Sequence, residues 1–203
     1  MDTDASNRKR ALRAELRERR QNMTATERTT ATAGITRQLI DLTTDLSARS
    51  VSCYLPTQTE PNTRPYLNWL RSQNIRTLLP ISREDGLLDW TVGDGENETE
   101  SFLGFPEAVG DVLGPIAIND VDLIIVPAAA VDATGLRMGW GRGYFDKTLG
   151  SMEKCPPVYA VLFDSELVDE VPRERHDQPV DGVITPTKNV QFSQQDQHFH
   201  RRQ

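Results

Sequence analysis

Gly139, Gly141 and Gly143 alternate with Trp140 and Arg142, and Arg137 and Lys147 bracket the run. Glycines at this spacing let the backbone approach a phosphate chain and turn its N–H groups toward it. Arg137, Arg142 and Lys147 add full positive charge beside it. The plain alternative is a glycine-rich surface turn. Counting G-x-G-x-x-G from Gly139 lands on Tyr144, and no G-x-x-x-x-G-K-[ST] run occurs, so neither the dinucleotide nor the P-loop pattern applies. A second cationic group lies at residues 8–20, where Arg8, Lys9, Arg10, Arg13, Arg17, Arg19 and Arg20 face only Glu15 and Glu18. Lys9 and Arg13 are four apart and share a helix face, with Arg10 and Arg17 beside that line. Such a helix is either a solvated surface or a clamp for an anion.

The elements that position these residues follow from period and punctuation. Residues 6–21 read as a helix, with Ser6 as N-cap and a thin apolar stripe of Ala11, Leu12 and Leu16. A second helix opens at Thr24-Ala-Thr-Glu27, a capping box, and carries Ile35, Leu39, Ile40 and Leu46. Val51 to Leu55 reads as a strand ended by Pro56; a loop through Glu60 leads to a helix carrying Tyr66, Leu67, Trp69 and Leu70. Further strands are expected at 75–81, 121–126, 158–163 and 180–184, with an outer strand at 87–92 and an acidic loop at 93–101. Continuous apolar strands alternating with helices predict an α/β fold with a mostly parallel sheet. The glycine run then follows a central strand as strand, turn, loop and helix, where open α/β sheets place ligands.

Composition sets the outer limits. The 203 residues, 37% apolar, suit one domain, expected at 1–203 with a flexible C-terminal tail at 188–203. No run reaches the ~20 apolar residues of a membrane span. The basic, polar N-terminus lacks the apolar core of a secretory signal. Two cysteines, Cys53 and Cys155, are too few for a disulfide framework or a Cys-rich zinc site. A cytoplasmic protein with no membrane or nucleic-acid partner is expected, and nothing demands more than a monomer. The net charge of −7 opposes general nucleic-acid binding. That charge is uneven: residues 1–50 hold 10 Lys/Arg against 7 Asp/Glu, a net of +3, and residues 84–136 hold no Lys or Arg.

From Gly135 to Lys147 the chain reads G-x-R-x-G-x-G-x-G-Y-x-D-[KR]. This string resembles the signature of the 5-formyltetrahydrofolate cyclo-ligases. Lys9-Arg-Ala-Leu-Arg13 is similar to the family's basic N-terminal helix, and Tyr54 to Glu60 to its strand and substrate-loop glutamate. Phe163-Asp, Val171-Pro, His176-Asp177 and Val180-Asp181 are similar to its C-terminal block. The resemblance spans about residues 8–186. Two departures stand out: Gly104-Phe-Pro106-Glu107-Ala108 replaces a Gly-Ile-x-Glu-Pro type stretch, and Phe145 replaces a second Tyr.

The resemblance implies a three-layer α/β/α fold of the NagB/RpiA/CoA-transferase-like type. It implies ATP-dependent closure of 5-formyltetrahydrofolate to 5,10-methenyltetrahydrofolate, with ADP and phosphate released and Mg²⁺ as cofactor. ATP contacts fall by carry-over on Lys9, Arg10, Arg13, Arg137, Gly139, Trp140, Gly141, Arg142, Gly143, Tyr144 and Phe145. Folate contacts fall on Leu55, Glu60, Trp140, Arg142 and Tyr144, and the Mg²⁺ ligands on Asp146 and Asp177. Plainer readings stand beside these: Asp146 as a helix-surface partner of Arg142, Asp177 as a turn residue beside His176, Glu60 as a loop charge, Trp140 as a core residue. A non-catalytic nucleotide- or CoA-binding regulatory module on the same fold is the competing function.

Overall fold

The apolar, β-branched runs pair with one another, mostly in parallel. The structure, a computed structural model, describes residues 2–93, 95–152, 156–174 and 177–192. Cys155, His176, His198 and His200 fall outside them. The helices are α1 (Asp2–Asn22), α2 (Ala25–Asp45), α3 (Arg64–Ser72) and α4 (Tyr144–Gly150). The strands are β1 (Ser50–Ser52), β2 (Arg76–Ser82), β3 (Leu88–Val92), β4 (Glu98–Glu100), β5 (Pro106–Ala108), β6 (Val112–Leu113) and β7 (Leu123–Pro127). They continue as β8 (Ala130–Asp132), β9 (Arg137–Met138), β10 (Val158–Val161), β11 (Leu167–Val168), β12 (Gly182–Ile184) and β13 (Asn189–Gln191).

The main sheet runs β13-β12-β10-β7-β1-β2-β3-β6. Its centre, β12 to β2, is parallel, and the edge strands β13, β3 and β6 are antiparallel. Side chains alternate between two cores, as the pleat requires. Val51, Leu79, Leu123, Ile125, Tyr159 and Val161 meet α2 and α3 on one face. Leu78, Ile124, Val126, Ala160 and Val183 meet Ile118 and Leu149 on the other. That second layer is thin: a 3₁₀ turn at Pro115–Asp120 and the short α4. Thr24 caps α2 in the expected box: its hydroxyl accepts from Glu27 N, and the Glu27 carboxylate accepts from Thr24 N at 2.7 Å.

Three expectations are corrected. Of the tail expected at 188–203, residues 189–191 form β13, which pairs with β12, and Phe192 is buried; 193–203 lie outside the described residues. The acidic loop at 93–101 contains β4, which pairs with β5. The step from β7 to the glycine run is not direct, because the hairpin of β8 and β9 intervenes. Cys53 is a buried core residue, as its place in an apolar strand suggested, and burial pushes its thiol up to about 12.

The N-terminal ends of β1 and β7 are tied by one carboxylate. Asp122 Oδ2 accepts from Arg49 N at 2.8 Å, Ser50 N at 2.9 Å and Ser50 Oγ at 2.9 Å. These donors, the Arg49 N–H foremost, hold the carboxyl below its usual range. A depressed folded-state pKa stabilises above the unfolded value, about pH 4, and that contribution is lost as pH falls through the folded pKa. Asp122 is exposed, so Asp122→Ala is expected to cost about 1 kcal/mol at pH 7, or about 2–4 °C in melting temperature. Melting curves against pH should show the deficit closing in acid; a constant deficit would contradict the assignment.

Candidate active site

In the sheet, β1 lies between β7 and β2, and the connections run away from it in both directions. A crevice opens at such a reversal, outside the carboxyl ends of the strands. Three segments line it. Residues 54–60 follow β1, Pro80 and Ser82 close β2, and residues 137–146 run from β9 into α4. Thr63 Oγ1 donates to Tyr54 O at 2.7 Å, which folds the first segment back on itself. Glu60 Oε2 accepts from Thr57 N at 2.8 Å, which fixes its carboxylate at the rim.

The hairpin gives α1 its seat. Leu16 is fully buried among Ala129, Ala130, Leu136, Met138 and Val171, with Leu12 and Trp140 at the margin. This apolar contact is small, and ion pairs supply the rest of the register. Arg20 Nε and Nη2 meet the two Glu166 oxygens at 2.6 and 2.8 Å, and Nη2 also donates to Ala128 O at 2.9 Å. The Glu166 carboxylate accepts from Phe163 N at 2.9 Å, so both members are tied to backbone. The Arg20 guanidinium lies 4.7 Å from the centre of the Trp140 ring, and that of Arg17 5.3 Å. Toward the other end of α1, Lys9 Nζ sits 2.7 Å from Glu174 Oε2 and 2.6 Å from Asp177 Oδ2. Between these anchors Arg13 Nε donates to Gly139 O at 2.8 Å. Burial lowers the pKa of Arg13, against the raising influence of Glu174 and Asp177.

The glycine run fits into this contact. A Cβ at Gly139 would stand 2.9 Å from Arg137 Nη1, so a side chain there would displace the guanidinium. Gly141 has φ +99 and packs under Arg13, a conformation L residues rarely adopt. Two cavities result. One, of about 760 Å³, is lined by Lys9, Arg13, Gly141, Lys147, Glu174 and Asp177. The other, of about 340 Å³, is lined by Leu55, Glu60, Trp140, Tyr144, Phe145 and Glu107, among others. Gly139, Arg142, Gly143 and Asp146 border both.

The structure therefore gathers most of the candidates, with changes of place. Trp140 and Tyr144, expected at both ligands, and Arg137 and Phe145, expected at the nucleotide, line the smaller cavity. Arg10 lies on the exposed side of α1, bonded to Asn7, and lines neither cavity. Asp146 pairs with Arg137 Nη2 at 2.6 Å and not with Arg142. Asp177 is both a turn residue, accepting from Glu174 N at 2.7 Å, and a partner of Lys9. Glu166 and Glu174 were not anticipated, and Glu107 had been given no role. Only Glu107 carried a sequence signal, its place in the Gly104–Ala108 stretch.

Comparison with known proteins agrees with the geometry. Residues 5–186 match the 5-formyltetrahydrofolate cyclo-ligase family, and the chain belongs to it. The 5-formyltetrahydrofolate cyclo-ligase of Mycolicibacterium smegmatis is 35% identical over 150 residues, 71% of this chain and 77% of that one. The cyclo-ligase of Escherichia coli K12 is 30% identical over 146 residues, 70% of this chain and 80% of that one. The solved 5,10-methenyltetrahydrofolate synthetase of Aquifex aeolicus superposes with a TM-score of 0.75 at 25% identity, covering 90% of this chain and 92% of its own. The synthetase of Mycoplasma pneumoniae, at 19% identity and TM-score 0.71, supports the fold, covering 88% of this chain and 98% of its own.

Arg20→Met would leave the Glu166 carboxylate buried without its cation. A loss of about 3 kcal/mol or more is expected in denaturant unfolding. Arg19→Met, whose pair with Glu15 is exposed, should change stability by about 0.5 kcal/mol or less. Equal effects would refute the anchoring role of Arg20.

Proposed function

We propose that the chain closes 5-formyltetrahydrofolate to 5,10-methenyltetrahydrofolate at the expense of ATP, with ADP and phosphate as the other products. One observation carries this reading: two cavities of different character share the rim of Gly139, Arg142, Gly143 and Asp146. The cation-rich cleft suits a triphosphate, and the smaller, more apolar cavity suits the pterin and aminobenzoyl rings. The shared rim is where a γ-phosphoryl group and the formyl oxygen would meet.

A formamide is a poor electrophile with a poor leaving group. Phosphoryl transfer to the formyl oxygen corrects both defects. N10 then adds to the activated carbon and phosphate departs. The protein must align the two ligands and neutralise charge, which are the large terms in such reactions. Arg13, Arg142 and Lys147 supply the charge; the Gly139–Gly143 backbone supplies close approach. Glu60, at the rim of the smaller cavity, is suited to the amino-pyrimidinone edge of the pterin, and Leu55 and Trp140 to its faces.

Among the described residues no cluster of three metal-ligating side chains exists. Asp146 and Asp177 nevertheless border the same cleft, each held by a cation of the protein, Arg137 and Lys9. Two carboxylates with phosphate oxygens fit Mg²⁺, which takes few protein ligands and keeps its waters. Mg²⁺ arriving with ATP suits this donor set better than a resident ion. When bound it would offset phosphate charge, while Lys9, released from Asp177, is placed to reach the phosphates.

The test is the near-UV absorbance band of methenyltetrahydrofolate. Protein with Mg-ATP and 5-formyltetrahydrofolate should generate it; its absence would refute the reading and leave a binding module. Lys9→Ala should raise the KM for ATP by about tenfold or more, with a much smaller effect on folate, and Glu60→Ala should do the reverse. Equal changes in both constants for Lys9→Ala would assign α1 a purely structural role.

A further inference from the structure

The cyclisation leaves one proton without an acceptor. N10 carries a hydrogen in 5-formyltetrahydrofolate and none in the methenyl product. We propose that Glu107 takes that proton, a role that rests on the cyclo-ligase reading. Glu107 lies on β5 and borders the smaller cavity, with 7% of its surface exposed. Its Oε1 accepts from Ser82 N at 2.7 Å. Its Oε2 makes no hydrogen bond, and the carboxylate no ion pair, among the described residues.

Oε2 is not among the fully buried unpartnered atoms, so it keeps access to the cavity. A neutral amide could serve Ser82 N equally well, so the charge has no structural use. Its charged neighbours are already matched: Glu98 on β4 by Arg64, Arg83 after β2 by Asp85 and Asp89, and Asp146 by Arg137. Glu100 on β4 is exposed. Arg17, Glu60, Arg142 and Tyr144 share the cavity wall with Glu107.

Two contacts set Glu107 at the border between the cavities. Tyr144 donates to Arg83 O at 2.9 Å, one residue beyond the Ser82 N–H that Glu107 caps. The Arg142 guanidinium lies 5.9 Å from the centre of the Phe105 ring, and Phe105 and Glu107 line the same cavity. Arg142 and Gly143 border both cavities, so the formyl carbon and N10, which become bonded as the ring closes, are expected here. As the N10–C bond forms, the N10–H electron pair stays on nitrogen and the proton passes to Oε2. The C–O bond then breaks, phosphate leaves with the C–O electron pair, and Glu107 returns the proton to water after release.

The experiment is single-turnover formation of the methenyl band against pH, with both substrates saturating. The wild-type rate should rise with pH through a single limb to a plateau. Glu107→Gln, which keeps an oxygen for Ser82 N, should lower the plateau about 100-fold, abolish the limb and leave the KM for folate within about threefold. An unchanged rate, a raised KM with the rate kept, or a slower reaction that retains the limb would overturn the proposal. Should Glu107→Gln fail to fold, Glu107→Asp decides: a displaced limb supports the role and an unmoved one refutes it. A wild type that makes no band would refute the cyclo-ligase reading itself, which separates that failure from the failure of Glu107.

Discussion

The Arg20–Glu166 pair fixes the register on which the site depends. Both side chains are almost wholly buried, and both are bonded to backbone as well as to each other. A buried ion pair rarely adds net stability over an apolar packing of the same volume, but it punishes misalignment severely. That property suits α1, whose apolar stripe is too thin to dictate a position alone. With Arg20 seated, Arg17 and Arg20 cover Trp140, Arg13 reaches Gly139 O, and Lys9 arrives at Asp177 and Glu174. The nucleotide cleft is bounded by that alignment.

Placement also explains how an acidic chain offers a cationic cleft. The cations come from two stretches 126 residues apart at Arg13 and Gly139, joined by α1 docking. The basic-free stretch from 84 to 136 lies partly outside the cleft, in β3, β4 and β6, and partly behind it, in β7 and β8. It also delivers Glu107 to the smaller cavity. The whole-chain charge is therefore a sum over regions with opposite duties, and it describes neither cavity. Asp177 and Asp146, on the cleft wall, are matched by Lys9 and, from the smaller cavity, by Arg137. The unliganded site thus holds its own counterions, which Mg-ATP would rearrange.

Much of this was legible in the residues. The capping box at Thr24 predicted the start of α2, and continuous apolar runs predicted the parallel centre of the sheet. The glycine signature located the loop against which α1 packs, and all five folate candidates line one cavity. What escaped was short or non-local. The β8–β9 hairpin has strands of three and two residues, too brief to show a period, so the chain from β7 to α4 looked continuous. β13, likewise three residues, was lost in a polar tail. The carboxylate partners of Lys9 and Arg20 lie 146 to 168 residues away, a distance no local pattern spans. Arg10 carried the same local signal as Lys9 and Arg13, and only the direction in which α1 docks separates them.

Hydrogen–deuterium exchange on addition of Mg-ADP tests most directly whether α1 is a wall of the nucleotide site. Exchange should slow together in residues 9–20 and 139–143, with α2 unaffected. Slowing confined to 139–143, with α1 exchanging as before, would contradict the account.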